Sequence, residues 1–218
     1  MNFNITPVVK ILLLINVIVF ALANLLEPSL GADFINTWLA VHYPESDDFQ
    51  AVQLITYMFM HGSVTHILFN MLGLYMFGPP VEHVWGGKQF LFYYLFTGFG
   101  ALVLDFAVKY FQIYHTNISP QEIEMLVNTP MVGASGAIFG ILAAYGYLFP
   151  NNIIMPLFPP IPMKAKYFVL IYGGIELYSG ISDMSGAGSN IAHFAHVGGA
   201  VFGFLLMMYW QRGGRIGR

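Results

Sequence analysis

The stretch that decides the fold is residues 131–149, which read MVGASGAIFGILAAYGYLF. It opens with small residues around Ser135 and continues as an apolar segment without a charged side chain. A segment of this length and character predicts a helix that crosses a membrane, although it falls slightly short of the roughly 20 residues that a spanning helix needs. Ser135 then lies near one end of a short span.

The composition of the whole chain indicates the same class of protein. Apolar residues make up 57% of the 218 residues and charged residues 9%, and the mean hydropathy is +0.65. Soluble domains carry about 25% charged residues. The alternating ten-residue segments of a membrane barrel are absent, so the sequence predicts one all-α membrane domain over residues 1–218. Its six spans are expected near residues 8–26, 54–77, 89–110, 132–149, 166–181 and 191–210.

The basic residues predict the orientation of these spans. With a cytoplasmic N-terminus, seven of the eight Lys and Arg residues fall on the cytoplasmic side, and Lys109 is the exception. This bias is the positive-inside pattern, and it predicts that both termini are cytoplasmic. The seven are Lys10, Lys88, Lys164, Lys166, Arg212, Arg215 and Arg218. The net charge of −3 does not favour a nucleic-acid partner, and the absence of cysteine excludes a thiol nucleophile.

Two polar residues in different spans could form a hydrolytic site. Ser135 needs a neighbouring base to become a nucleophile. A histidine inside a span usually faces the bundle interior or a watery cavity, and His196 is followed by Gly198 and Gly199, which would let its helix pack closely on a neighbour. His193, one turn away, competes for the same role. The alternative is that the small residues around Ser135 only serve helix packing.

A second pair of polar residues could stabilise an oxyanion. His66 and Asn70 lie four residues apart and therefore share one face of the second span. The backbone N–H of Ser135, at the start of a helix, would be a further donor. The alternative for His66 and Asn70 is an interhelical hydrogen bond without a chemical role.

The remaining polar residues of the spans carry no assigned chemistry. Asp105 is expected near the outer end of the third span, where water can solvate it, and Glu176 lies in the fifth span. Pro79-Pro80 is expected to end the second span, because proline removes a helical hydrogen bond. Glu82 is expected to fold the following loop together with Gly86. Residues 182–190 predict a flexible loop.

In combination, these motifs resemble the rhomboid family of intramembrane serine proteases. The matching pieces occur in the family's order over residues 54–210: His66-Ile67-Leu68-Phe69-Asn70, Glu82 with Gly86, Gly133-Ala134-Ser135-Gly136, and Ala195-His196-Val197-Gly198-Gly199 with Gly203. The resemblance implies a six-helix rhomboid-like bundle that hydrolyses peptide bonds in or near the transmembrane segments of substrate proteins. It also implies the bacterial inner (plasma) membrane as the location.

The resemblance also implies a role for each site residue. It implies a Ser135–His196 dyad without a third, acidic member, and it selects His196 over His193 because only His196 has glycines three and seven residues on. The implied oxyanion site consists of His66, Asn70 and the backbone N–H of Ser135, and Gly133 is assigned to the same substrate-stabilising group. No metal ion or cofactor is implied.

The chain departs from the family pattern at two places. Phe139 occupies the position, four residues after the serine, where the family often has a tyrosine that packs on the catalytic histidine. A phenyl ring can still stack there. The Trp-Arg pair that often precedes the second span is replaced by residues 51–53, Ala-Val-Gln.

Other functions fit the sequence less well. A non-catalytic relative that binds membrane proteins would be expected to lack the serine or the base. A transporter or channel would be expected to show internal repeats or a ring of like charges. The chain has neither a His-Glu-x-x-His zinc motif nor a pair of intramembrane aspartates, which excludes the other intramembrane protease classes.

Overall fold

The structure is a computed structural model, and it describes residues 5–30, 32–157, 159–183 and 192–214. Its helices are α1 (Pro7–Leu30), α2 (Ala32–Leu39), α3 (Gln53–Thr56), α4 (Val64–Trp85), α5 (Gly87–His115), α6 (Pro120–Asn128), α7 (Ser135–Leu148), α8 (Ala165–Ser182) and α9 (Ala192–Arg212). A single turn of 3₁₀-helix, Tyr57–Phe59, follows α3. Two short antiparallel strands, β1 (Ile153–Ile154) and β2 (Met163–Lys164), connect α7 to α8.

These helices form a membrane bundle, as predicted. Within the described residues, three helices are long and apolar enough to cross a bilayer: Pro7–Leu26 within α1, Gly87–His115 (α5) and His193–Arg212 within α9. The apolar helix α7 is shorter, with 14 residues. The number of spans stays a prediction, because α4, α7 and α8 do not combine the length and hydropathy of the other three.

The short helix α7 is the centre of the bundle. It packs against α4, α5, α8 and α9, and the residues that it buries are mostly glycine, alanine, isoleucine and leucine. The surrounding helices instead expose large apolar side chains, such as Leu25 on α1 and Leu170 on α8. An apolar outer surface of this kind suits a lipid environment.

The second predicted span differs most from the structure. Helix α4 begins at Val64 rather than near residue 54, and it continues through Pro79 and Pro80 to Trp85. The expectation that these prolines end the helix is therefore wrong. Helices in a bilayer tolerate proline where neighbouring groups compensate for the lost hydrogen bonds, and Gly78, directly before Pro79, has no Cβ to clash with the proline ring. The helix ends instead at Gly86, which has a φ of 78°.

Glu82 fixes the end of α4 to the start of α1. Its carboxylate accepts hydrogen bonds from Thr6 Oγ1 at 2.5 Å, from the backbone N–H of Val8 at 3.0 Å and from that of Val9 at 2.9 Å. These N–H groups belong to the first turn of a helix, where no backbone partner is available and the dipole favours a negative charge. Glu82 therefore caps α1 from within α4, rather than folding a loop.

Asp105 is buried, which corrects the expectation that water solvates it. Its side chain is 0% exposed, and its Oδ2 lies 3.7 Å from Nζ of Lys109, which is 1% exposed. The two residues are four apart on α5 and therefore lie on the same face of the helix. The one basic residue that broke the positive-inside pattern is thus half of a buried ion pair.

Two parts of the sequence predictions lie outside the described residues. Most of the loop predicted at residues 182–190 falls in residues 184–191, and the basic residues Arg215 and Arg218 follow residue 214.

Glycines bring α7 and α9 into backbone contact, as the glycine spacing around His196 predicted. A Cβ at Gly199 would overlap the carbonyl oxygen of Gly136 and lie 2.6 Å from its carbonyl carbon. Four residues further along α9, a Cβ at Gly203 would lie 3.1 Å from Cα of Gly140. Tyr93 of α5 donates a hydrogen bond of 2.8 Å to the carbonyl of Gly140, so α5 closes the same contact from the side.

We predict that Gly199→Ala lowers the thermal unfolding midpoint of the detergent-solubilised protein. The new methyl group meets backbone atoms, which no side-chain rotation can move, so α7 and α9 must separate. Overpacking of this kind costs about 1–3 kcal/mol.

The matched control is Gly174→Ala in α8, where an added Cβ meets nothing within 4 Å. It should leave the midpoint unchanged or raise it slightly, since alanine is favoured over glycine in helices. Equal midpoints for the two variants would contradict the assigned contact.

Candidate functional site

The approach to Ser135 is fixed by backbone hydrogen bonds. Met131 forms an antiparallel bridge with Val41, with hydrogen bonds of 2.8 and 3.0 Å, and the N–H of Gly133 donates to the carbonyl of Tyr57 at 2.9 Å. Gly133 has a φ of 126°, which residues with a side chain rarely adopt. The chain can therefore turn sharply here, and Ser135 becomes the first residue of α7.

Ser135 and His196 form a hydrogen bond across the α7–α9 contact. The distance from Ser135 Oγ to His196 Nε2 is 2.8 Å. The ring of Phe139, one turn along α7, stacks on the His196 ring with a centroid distance of 4.4 Å and an interplanar angle of 6°. The expectation that a phenyl ring can stack at this position is confirmed. The stacked ring restricts the imidazole to the plane in which it contacts Ser135.

His66, Asn70 and Gly133 lie together beside Ser135. A Cβ at Gly133 would lie 2.7 Å from Nε2 of His66 and 3.6 Å from Nδ2 of Asn70, so only glycine leaves room for both side chains. Asn70 is buried, and its Nδ2 has no hydrogen-bond partner among the described residues. Buried polar groups are normally paired, so this amide is a donor available to a ligand.

A cavity of about 1100 Å³ opens next to these residues. Its walls come from α4, α7, α8, the segment between β1 and β2, and His196 of α9. The polar residues of the lining are Ser63, Thr65, His66, Asn70, Ser135, Tyr172 and His196. The apolar residues of the lining include Met76, Phe77, Leu142, Leu157 and Phe168. The rings of Phe77 on α4 and Phe168 on α8 stack at 6.2 Å. The polar groups from Ser63 to Asn70 come from the N-cap and the first two turns of α4, so the cavity has a polar end and a larger apolar part.

The sequence analysis assigned no role to Glu176, which the structure places against both histidines of α9. Its Oε2 lies 2.8 Å from Nδ1 of His196 and 2.6 Å from Nδ1 of His193. On the far side of the His193 ring, Nε2 lies 3.7 Å from Oδ2 of Asp183. The expected Ser135–His196 dyad has no third, acidic member, and the structure adds a carboxylate in contact with its histidine. The sequence feature that could have indicated a role for Glu176 is its position inside a predicted span, since intramembrane glutamates are rarely without a function.

The same three side chains are the described residues that could hold a metal ion. Glu176, His193 and His196 each offer one ligand atom, and these atoms lie within 4.8 Å of one another. Two imidazoles and a carboxylate are a donor set that Zn²⁺ uses. In this arrangement both Nδ1 atoms face the carboxylate at hydrogen-bonding distance, so a metal ion would have to replace the protons that make those bonds.

Comparison with known proteins identifies the family. The family model of the rhomboid domain matches residues 48–212. The chain is 31% identical to rhomboid protease AarA of Providencia stuartii, over 88% of this chain and 60% of that protein. It is 28% identical to rhomboid protease GlpG of Pectobacterium atrosepticum, over 83% and 55% of the two chains. It is also 28% identical to the mitochondrial rhomboid protein 1 of Saccharomyces cerevisiae, over 72% of this chain and 41% of that protein.

The matches span less than two thirds of the length of these relatives, and they cover most of the bundle described above. The chain is therefore an integral membrane protein that belongs to the rhomboid family.

Proposed function

We propose that this protein is an intramembrane serine endopeptidase that cleaves peptide bonds in or near the transmembrane segments of other proteins. The observation that carries the proposal is the 2.8 Å hydrogen bond between Ser135 Oγ and His196 Nε2, at the wall of a cavity that is mainly apolar. A nucleophile within reach of a base is the first requirement of acyl transfer. Membership of a family whose relatives are named proteases supports the same reaction class.

In the first half of the reaction, Ser135 attacks the scissile carbonyl. His196 Nε2 accepts the hydroxyl proton while Oγ bonds to the carbonyl carbon, which gives a tetrahedral oxyanion. His196 then donates the proton to the leaving nitrogen as the C–N bond breaks. The amino-terminal part of the substrate remains bound to Ser135 as an ester.

In the second half, water replaces the leaving amine. His196 removes a proton from the water, whose oxygen attacks the ester carbonyl, and the proton returns to Ser135 Oγ as the acid product leaves. The water reaches Ser135 through the polar end of the cavity, along His66 and Asn70.

The developing oxyanion is stabilised by donors that the fold already holds in position. The unpaired Nδ2 of Asn70 and the backbone N–H of Ser135, which has no helical partner at the first residue of α7, are two of them. His66 adds a ring N–H, and Gly133 leaves the space in which His66 and Asn70 approach Ser135. Such preorganised donors act mainly in the transition state.

We also propose an orientation and a location for the protein. Lys164 and Lys166 flank the start of α8, and Arg212 ends α9, and this distribution of basic residues favours a cytoplasmic location for these two helix ends. Both termini are then cytoplasmic, Ser135 lies toward the opposite side, and the membrane is the plasma membrane of a bacterium.

We predict that Ser135→Ala abolishes cleavage of a membrane substrate and also labelling by a fluorophosphonate. The variant lacks the oxygen that attacks the carbonyl or the phosphorus, so the rate should fall on the order of 10³-fold or more. Gel-based cleavage and labelling of purified protein in detergent measure both effects.

His196→Ala should lose both activities in the same way, whereas His193→Ala should keep most of both, because only His196 contacts Ser135. The matched control is Ser29→Ala, an exposed position on α1, which should behave as wild type. A Ser135→Ala variant that cleaves within a few-fold of wild type would exclude the proposed nucleophile, and a wild-type protein that neither cleaves nor labels would favour a non-catalytic relative.

We predict that Asn70→Ala lowers kcat more than it raises KM. Removal of one oxyanion donor costs on the order of 10²–10³ in kcat, and His66 and the Ser135 N–H will offset a part of this loss. Steady-state kinetics on a detergent-solubilised substrate separates the two constants.

Asn24→Ala provides the matched control, because Asn24 is an exposed amide on α1 that bonds its own helix. An Asn70→Ala variant with raised KM and unchanged kcat would assign Asn70 to substrate binding instead.

We predict that substrate enters between α4 and α8. Phe69 on α4 and Tyr172 on α8 both line the cavity, and the chain has no native cysteine. A reducible crosslink between Phe69→Cys and Tyr172→Cys should block cleavage of a membrane substrate, and reduction should restore it.

Labelling by a small fluorophosphonate should persist in the crosslinked protein, since this reagent reaches Ser135 through the polar end. The single-cysteine variants, treated with the same reagent, control for the substitutions. Full cleavage by completely crosslinked protein would mean that substrate enters elsewhere.

A further inference from the structure

The relation of Glu176 to the two histidines determines where their protons lie. A carboxylate only accepts hydrogen bonds, and Oε2 lies 2.8 Å from Nδ1 of His196 and 2.6 Å from Nδ1 of His193. With Glu176 ionised, each of these two contacts requires a proton on the histidine Nδ1. A neutral His196 with its proton on Nδ1 has a lone pair on Nε2, and that lone pair faces Ser135 Oγ.

We propose that Glu176 is a positioning residue for His196, so that the site contains a Ser135–His196–Glu176 relay rather than a dyad. The proposal rests on the proposed protease function. Glu176 selects the tautomer of His196 that can accept the serine proton, and its negative charge stabilises the imidazolium that forms when the proton arrives. It comes from α8, whereas Ser135 and His196 come from α7 and α9.

His193 holds the carboxylate in place. It donates to the same oxygen as His196, and its own Nε2 lies 3.7 Å from Oδ2 of Asp183 at the end of α8. The side chains of Glu176, His193 and His196 are 13%, 25% and 17% exposed, so water competes only weakly for their hydrogen bonds. Removal of His193 leaves the bond between Glu176 and His196 but takes away the second hydrogen bond to the same oxygen, so His193→Ala should cost less activity than His196→Ala.

The alternative is that Glu176 only ties α8 to α9. A tie of this kind would affect folding and substrate binding, whereas a positioning residue affects the proton transfer itself. Glu176→Gln separates the two, because glutamine keeps the shape and an acceptor oxygen but removes the negative charge.

The kinetic test compares Glu176→Gln, Glu176→Asp and Glu176→Ala in the presence of a metal chelator. In the glutamine variant the hydrogen bond to His196 loses its charged acceptor, so kcat should fall on the order of 10–100-fold, with KM and the thermal midpoint unchanged. Glu176→Asp should recover part of kcat, because it restores the charge on a shorter side chain.

In the His196→Ala background, Glu176→Gln should have no further effect, since the two residues act as a unit. A glutamine variant within twofold of the wild-type kcat, or one with a changed KM alone, would overturn the proposal.

A spectroscopic test is independent of any activity. NMR of protein with ¹⁵N-labelled histidine, assigned with the His193→Ala and His196→Ala variants, should detect a proton on Nδ1 of His196 in the wild type, and its shift should move toward that of a neutral hydrogen bond in Glu176→Gln. A His196 protonated on Nε2 alone would overturn the relay even in an active enzyme. If the Nδ1 proton is present but neither cleavage nor labelling occurs, the proposed protease function fails while the geometry stands.

Discussion

The backbone contact between Gly136 on α7 and Gly199 on α9 is the constraint on which the rest of the structure depends. A Cβ at Gly199 cannot coexist with the Gly136 carbonyl, so the two helices meet at a distance that only glycine permits. Ser135 and His196 flank this contact along the chain, and their 2.8 Å hydrogen bond follows from it. In lipid, where apolar burial does not drive helices together, such close packing is a main source of stability.

The sequence predicted those parts of the site in which chemistry and packing occur in the same short segment. Ser135 stands among small residues, and His196 precedes the glycines that fit its helix to α7, so a local pattern indicated both. Glu176 could not be assigned in this way, because its partners come from another helix and no local spacing relates α8 to α9. The burial of Asp105 was missed for a related reason, since its environment depends on how α5 packs within the bundle rather than on its distance from the helix end.

The continuation of α4 through Pro79 and Pro80 has a similar origin in tertiary structure. Helical propensity alone predicts a break there, but Gly78 packs on α1, where an added Cβ would lie 2.7 Å from Cγ2 of Val9. Glu82, one turn beyond, accepts three hydrogen bonds from the start of α1. Interactions of the last turn with α1 thus outweigh the two hydrogen bonds that the prolines remove. Because α4 also carries His66 and Asn70, its anchoring at the far end helps to fix the wall of the cavity.

Helix α8 belongs to both the cavity and the proposed relay. Phe168 and Tyr172 face the cavity, and Glu176, one turn beyond Tyr172, bonds to the histidines of α9. Any movement of α8 that widens the cavity also moves the carboxylate relative to His196. The distance between Ser135 and His196 does not depend on α8 in this way, since glycine contacts hold α7 and α9 together. If Glu176 acts as proposed, the base therefore reaches its full strength only when α8 lies against α9. In such an arrangement, the entry of a substrate and the alignment of the base are linked through one helix.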